Sequence, residues 1–425
     1  MVPTGTNINM EKYVAKLTAG AKEASRRLAC ASTAQKDAAI AAIARGLVDS
    51  RNDIQKENQR DIEVARKAGQ SKPVIDRLLL NDKRIKAMTD GLTTMISLKD
   101  PVGEVMGGWK APNGMLIEKV RVPLGVIAII YESRPDVTAE AGALCLKAGN
   151  AVILRGGKEA IHSNLAVYRV IEKALSDTGL DPACIQIVET TDRAAVDLML
   201  KAVGYIDVVI PRGGEGLIRT VAEKSMIPVI KHYKGVCHTY VDEYADLDKA
   251  QDICLNAKTQ RAATCNAMET MLVHKNIAAK FLPPMAGKMK EAGVELRGCS
   301  QTTKILPDIK AATDEDWDTE YLDLILSVRV VSSFDEAVEH IARYGSSHSD
   351  AIVTENVTSA GRFTNEVDSS AVYVNASTRL TDGGQFGMGA EIGISTDKLH
   401  ARGPMGLPEL TTYKYVIHGD GQLRE

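Results

Sequence analysis

Residues 125–160 read "GVIAIIYESRPDVTAEAGALCLKAGNAVILRGGKEA". A short Val- and Ile-rich run, a helical stretch and a second apolar run ending in a glycine pair call for a parallel sheet with helices on both faces. The rhythm continues through "IQIVET", "IDVVIPRGG" and "PVIKHY", with helical sequence between them. A second such region follows Cys265, with "METMLVH", "ILSVRVVSS", "DAIVTE" and "SAVYVNAS". Upstream, "STAQKDAAIAAIARGLVDSRNDIQKENQRDIEVARKAG" carries apolar residues at helical spacing, with Ser32 and Thr33 as caps and Gly69 as its end. Between the helical region and the sheet lies a hairpin near residues 103–120, turning at "PNG". No fixed-period repeat interrupts this pattern. The expected fold class is α/β: two doubly wound domains with a protruding β arm.

A chain of 425 residues is long for one hydrophobic core, in keeping with two domains. Its 52 Lys and Arg against 55 Asp and Glu leave a net charge of −3, without the polycationic face that nucleic acid or an anionic membrane demands. No apolar run is long enough for a signal peptide or a membrane span, so a cytoplasmic protein is expected. The seven cysteines are scattered and include no C-x-x-C pair, which speaks against a disulfide framework or structural zinc.

Two strand ends are glycine-rich: "ILRGGKEA" with Gly156 and Gly157, and "VVIPRGGEGLIRTV" with Gly213 and Gly214. Each leads into a helix, where backbone amides are placed to meet a pyrophosphate. Neither is a G-x-G-x-x-G element, and a glycine pair after a strand also serves as a plain tight turn. Arg155 and Lys158 flank the first pair. Positive side chains there suit a ribose 2′-phosphate and favour NADPH over NADH if a nicotinamide cofactor binds; as solvated surface charges they imply nothing.

Cys145 in "AGALCLKAG" and Cys254 in "AQDICLNA" lie among apolar neighbours and read as small buried hydrophobes. Cys265 in "TQRAATCNAMETMLVH" differs. Gln260, Arg261 and Thr264 precede it and Asn266 follows, placing it in a polar loop just before a strand, a setting that favours a nucleophilic thiolate. Its own backbone N–H then lies ready to hold an oxyanion. His232, His238 and His348 match neither H-E-x-x-H nor a Cys/His spacing, so no metal is expected.

The stretches "YESRPDVTAEAGALCLKAGNAVILRGGKEA", "QRAATCNA", "EAVEHIARYGSSHSDAIVT" and "FGMGAEIGISTDKLHARGPMGL" resemble the aldehyde dehydrogenase superfamily. Within it, nearly the whole chain resembles the branch that reduces L-glutamyl 5-phosphate to L-glutamate 5-semialdehyde in proline biosynthesis. The resemblance implies a dinucleotide-binding domain over residues 1–102 and 121–232, a catalytic domain over 233–405, and an oligomerisation arm over 103–120 and 406–425. It implies Cys265 as nucleophile and Glu320 in "TEYLDL" as the residue that holds the nicotinamide ribose. Ser133 in "ESRP" falls where many relatives carry an oxyanion-hole asparagine.

Aldehyde-oxidising relatives activate water with a glutamate in an E-L-G-G-K stretch. The matching stretch here, "KHYKGVCH", has no carboxylate and brings His232 near that place, which fits an enzyme that passes its thioester to hydride or phosphate. The implied reaction is NADPH-dependent, with Arg134, Arg261, Lys234 and Arg402 as candidate cations for the substrate phosphate and α-carboxylate. The expected assembly is a homo-oligomer, a dimer or tetramer, acting on a small molecule and in contact with a glutamate kinase that hands over the labile acyl phosphate. Two other readings stay open: a hydrolytic aldehyde dehydrogenase, and a non-catalytic scaffold for glutamate kinase.

Overall fold

The structure, a computed structural model, describes residues 9–424. In chain order its strands are β1 (Val105–Lys110), β2 (Leu116–Pro123), β3 (Val126–Tyr131), β4 (Ala151–Arg155), β5 (Ile185–Ile187), β6 (Val208–Arg212), β7 (Cys237–Val241), β8 (Met268–His274), β9 (Glu295–Gly298), β10 (Lys310–Ala311), β11 (Ile325–Val331), β12 (Ser349–Val353), β13 (Ala371–Val374), β14 (Ile394–Ser395), β15 (Gly403–Pro404) and β16 (Thr411–His418). The described chain divides into two compact units. The first runs to Lys231 and takes in Met388–Gly393 and the residues from Met405; the second is His232–Gly387 with Ile394–Pro404.

In the first unit the helical run expected from Ser32 to Gly69 forms as two helices, Thr33–Asp49 and Arg51–Lys67, meeting at Ser50. Ser32 and Gln35 cap the first reciprocally. The parallel sheet has the order β5-β4-β3-β6. Every residue of β3 is buried, so both faces need cover. Val126, Ala128 and Ile130 pack with Val14, Leu17 and Ala21 of helix Met10–Leu28, and the alternate residues Ile127 and Ile129 point to the opposite face. Strand order reverses between β3 and β6, so their carboxyl ends, Tyr131 and Arg212, flank a topological switch point. The strand expected at "PVIKHY" does not form: Val229 makes a single bridge to Val209, and Pro228 has no amide to extend a ladder.

The hairpin and the tail pair as an antiparallel sheet of order β1-β2-β16, turning at Gly114, whose φ is 91°. Every residue of β1 is exposed. Trp109 and Tyr415 meet edge to face across β2 with ring centroids 6.1 Å apart, and both stay open to solvent.

The second unit holds a sheet of order β10-β9-β11-β8-β7-β12-β13 with parallel pairing throughout. Strands β7, β9 and β10 join the four read from sequence. On one face Met271 and Val273 of β8 pack with Phe281, Leu282 and Met285; on the other Leu272 packs with Tyr240, Val331 and Phe363. Among the described residues no helix is long and apolar enough to cross a membrane.

His340 is sealed in this unit, with ring centroids 5.4 Å from His238, 5.5 Å from Trp317 and 4.7 Å from Tyr344. Neither ring nitrogen has a hydrogen-bond partner among the described residues. Burial, and after it the charges of His238, Arg329 and Arg343, pushes its pKa from 6.5 down to about 2. The folded state therefore refuses a proton that the unfolded chain accepts, and stability drains away as pH falls below about 6.5. At pH 5 the expected loss from this residue is about 2 kcal/mol. His340→Phe should keep the packing and remove that loss, seen as a smaller drop in the denaturant midpoint of the second unit between pH 7.5 and pH 5; an unchanged drop would rule it out.

Candidate active site

Cys265 sits in the turn between helix Leu247–Thr259 and β8. In a parallel sheet the residues just ahead of each strand share one edge. Cys265 before β8, Gly235 and Val236 before β7, and His348 before β12 gather there, at the strands' amino ends.

The turn is fixed at both ends. Lys258, near the end of the preceding helix, bonds Glu269 on β8 at 2.6 Å, with both side chains fully buried. The other carboxylate oxygen of Glu269 accepts the Leu322 amide at 3.2 Å. Burial pushes Glu269 up and Lys258 down, each towards neutrality, while their contact opposes both shifts. Inside the turn, Asn266 donates to Thr381 O (2.8 Å), its backbone carbonyl accepts from Thr378 Oγ1 (2.8 Å), and its side-chain oxygen accepts from Arg379. The Arg379 guanidinium also donates to Gln260 at 2.9 Å and 3.0 Å; burial, then the Arg261 charge, draws its pKa below the ordinary arginine value.

The Cys265 carbonyl is gripped as well. Cys237 Sγ donates to it at 3.2 Å, and a Cβ on Gly235 would overlap it, so only glycine fits there. The Gly235 amide donates to Glu320 Oε1 at 2.9 Å, which brings Glu320 beside the turn. Cys237 is buried, and burial, followed by the charges of Asp350 and Cys265, pushes its thiol well up, so it stays a protonated donor. Cys145, Cys184 and Cys254 are likewise buried and shifted upward, the last two to about 12. Cys265 is half-buried, with a face open to solvent.

His232 and His348 each bring a ring nitrogen close to Cys265 Sγ, and the three atoms lie within 4.8 Å of one another. The imidazoles meet edge to face, centroids 5.5 Å apart. His232 Nδ1 donates to Ile394 O at 2.8 Å, leaving Nε2 as the acceptor. His348 Nδ1 lies 2.9 Å from Ser349 Oγ, in a chain that runs on to Thr381 and Tyr373. His238, grouped with these two by sequence, instead bonds Asp350 in the core at 3.0 Å.

Of the candidate cations, Lys234 is held by Asp318 (2.7 Å) and Arg402 by Asp368 (2.8 Å), whereas Arg261 is exposed on the Cys265 turn. Sequence reasoning missed Arg379, Cys237 and the pairing of His348 with Cys265. None of these lies in a spacing that announces its role.

In the first unit, the amides of His162 and Ser163 at the start of helix Ile161–Asp177 donate to the buried carboxylate of Asp61, at 3.3 Å and 2.8 Å. Two of the amides at the start of the helix after "ILRGGKEA" are therefore taken by a carboxylate of the chain itself. Gly157 lies against the Glu159 carboxylate, which takes the amide and hydroxyl of Ser133 at 2.8 Å and 2.7 Å, with Ser133 at φ 42°. Arg155 donates to Gly156 O and Thr191 O, and Lys158 and Arg134 are exposed. The second glycine pair lies at the switch point. The Gly214 amide donates to Glu132 Oε2 at 3.0 Å, a Cβ on Gly213 would meet the Glu132 carboxylate and Leu217, and helix Glu215–Lys224 begins without a side-chain cap.

Residues 7–316 match the model of the aldehyde dehydrogenase family. A γ-glutamyl phosphate reductase from Thermodesulfovibrio yellowstonii is 57% identical over 405 residues, 95% of this chain and 97% of that one. One from Clostridium acetobutylicum is 55% identical over 98% of this chain and all of its own. The crystal structure of γ-glutamyl phosphate reductase from Thermotoga maritima superposes with a TM-score of 0.95 at 50% identity, covering 97% of this chain and 100% of that one.

The Lys258–Glu269 pair generates a separable test. Lys258→Met alone leaves a buried carboxylate unpaired and should destabilise the second unit by about 3–5 kcal/mol. Lys258→Met with Glu269→Gln removes both charges, keeps an acceptor for the Leu322 amide, and should recover more than half of that loss in denaturant titrations. No recovery would mean that the pair is not the clamp described.

Proposed function

The chain belongs to the aldehyde dehydrogenase family and within it to the γ-glutamyl phosphate reductases, oxidoreductases of proline biosynthesis, and we propose that it reduces L-glutamyl 5-phosphate to L-glutamate 5-semialdehyde with NADPH through a thioester on Cys265. The observation that carries the mechanism is the half-open Cys265 thiol between two imidazoles, with its own carbonyl immobilised.

His232 Nε2 takes the thiol proton, and Cys265 Sγ attacks the γ-carbonyl. The Cys265 amide faces the developing oxyanion. The carbon–oxygen bond to the phosphoryl group breaks, phosphate leaves with the electron pair, and a thioester remains on Cys265. When bound, NADPH supplies a hydride for the thioester carbon. Cys265 Sγ then departs from the tetrahedral carbon as thiolate, releasing the semialdehyde. Arg261, exposed on the same turn, is assigned to the anionic groups of the substrate.

Members of the family use NAD(P). The first unit is assigned to the dinucleotide. Gly213 and Gly214, at the switch point ahead of a helix that begins without a side-chain cap, are assigned to the pyrophosphate, which would displace the Glu132 carboxylate from the Gly214 amide. Arg155 and Lys158 are assigned to the 2′-phosphate, which makes NADPH the preferred form, and Glu320 to the nicotinamide ribose. The carboxylates beside the nucleophile are engaged, Glu269 by Lys258 and Glu320 by Gly235, which supports reduction over hydrolysis of the thioester.

In the reverse direction, semialdehyde and NADP should yield NADPH absorbance only when phosphate is present, and Cys265→Ala should lower the rate by at least ~10³-fold. Activity without phosphate would turn the reading to a hydrolytic aldehyde dehydrogenase. Activity surviving in the variant would remove Cys265 from the chemistry.

Family members are usually oligomers. The open edges of β1 and β16, with Trp109, Tyr413, Tyr415 and Ile417 exposed, are assigned to contact with a second copy of the chain. Trp109→Glu combined with Tyr415→Glu should shift sedimentation towards the monomer, and an unchanged sedimentation coefficient would count against this arm.

A further inference from the structure

We infer that His232, Cys265 and His348 form a site for a thiophilic divalent cation, of which Zn²⁺ is the type, and that occupancy of this site shuts the nucleophile off. The inference uses only side chains of the second unit and does not depend on which substrate Cys265 attacks.

The donor set is one sulfur and two imidazole nitrogens, the composition that selects Zn²⁺ over Mg²⁺ or Ca²⁺. The three ligand atoms lie within 4.8 Å of one another. Tetrahedral zinc needs its N and S donors roughly 3.4–3.6 Å apart, so small side-chain rotations close the gap. The imidazoles stand edge to face, with ring planes at 75° and centroids 5.5 Å apart, so the rings are not stacked against each other.

A second observation is independent of those distances. Metal-binding histidines as a rule engage the remaining ring nitrogen with a carbonyl, hydroxyl or carboxylate, which fixes the tautomer. Here His232 Nδ1 is held by the Ile394 carbonyl at 2.8 Å. His348 Nδ1 is paired with Ser349 Oγ at 2.9 Å, itself braced through Thr381 by Tyr373. Both rings are oriented as ligands before any ion arrives. His348 is buried while His232 and Cys265 are half-buried, so an ion reaches the site from the open side and keeps a water as its fourth ligand.

Binding exchanges a proton for a metal: the Cys265 thiol loses its proton to solvent, the sulfur lone pair forms the Zn–S bond, and nothing is oxidised or reduced. The lone pair that would attack a carbonyl is then in a metal bond. The site is therefore inhibitory, and loading is reversed by a chelator.

The test is spectroscopic and needs no substrate. Chelator-treated protein is titrated with Co²⁺ without oxygen, and a thiolate-to-cobalt charge-transfer band with intense tetrahedral d–d bands should saturate at one equivalent and vanish when Zn²⁺ is added. Cys265→Ser should abolish the charge-transfer band, and His348→Gln should weaken Zn²⁺ binding in competition with a chromophoric chelator by at least ~10-fold. Melting curves of the metal-free variants verify folding; if His348→Gln fails to fold, His232→Gln reads the same ligand set. A missing charge-transfer band, a band that persists in Cys265→Ser, or Zn²⁺ affinity unchanged in the folded histidine variant would each overturn the assignment.

Discussion

Lys258 and Glu269 meet at 2.6 Å with both side chains fully buried, and the reactive turn of the molecule is strung between them. The ion pair is not a large net source of stability, because taking both charges out of water costs nearly what their attraction returns. Its value is positional. It joins the helix that leads into the Cys265 turn to the strand that leaves it, and each charge makes the other indispensable. From Glu269 the constraint passes on to the Leu322 amide, and Leu322 sits at φ 52°, a strained conformation for a branched side chain. Two residues earlier, Glu320 takes the Gly235 amide, and Gly235 presses against the Cys265 carbonyl. The path closes on the turn where it began, so a change at any link moves the thiol.

Much of the frame was legible in the sequence because parallel strands buried on both faces are rich in apolar residues: β3 is apolar throughout, and β4, β8 and β12 keep apolar runs beside Arg155, Glu269 and Asp350. The failures have physical reasons. "PVIKHY" has the apolar content of a strand, but Pro228 withholds an amide and only Val229 bridges. Strand β7, "CHTYV", carries a histidine that looks foreign to a core until Asp350 is seen beside it. Nor could sequence show that two amides of the helix after the first glycine pair are met by Asp61, from a helix about a hundred residues earlier.

The candidate site was legible only in part. Cys265 stood out because its neighbours are polar where those of Cys145 and Cys254 are not. His232 was placed near it only through the family resemblance, and the meeting of both imidazoles with Cys265 could not be read from spacing, since His232 precedes β7, Cys265 precedes β8 and His348 precedes β12, and only the strand order β8-β7-β12 brings the three together. Spacing motifs such as H-E-x-x-H register ligands carried by one helix. They are blind to ligands delivered by the ends of separate strands.

A single property of this site suits it both to reduction and to metal capture. In the proposed mechanism a thioester awaiting hydride must be kept from activated water, and the neighbouring carboxylates have other partners, Lys258 for Glu269 and the Gly235 amide for Glu320. The two ligand atoms gathered about the sulfur are imidazole nitrogens. Withdrawing the oxygen donors removes the groups that would favour hard cations and leaves the soft set that favours zinc. A relative that hydrolyses its thioester with a free glutamate has one more ligand to offer, but also an anion that must be desolvated next to its nucleophile. The same arrangement that keeps water from the acyl group thus exposes the enzyme to thiophilic metal, as a consequence of which donors were left in place.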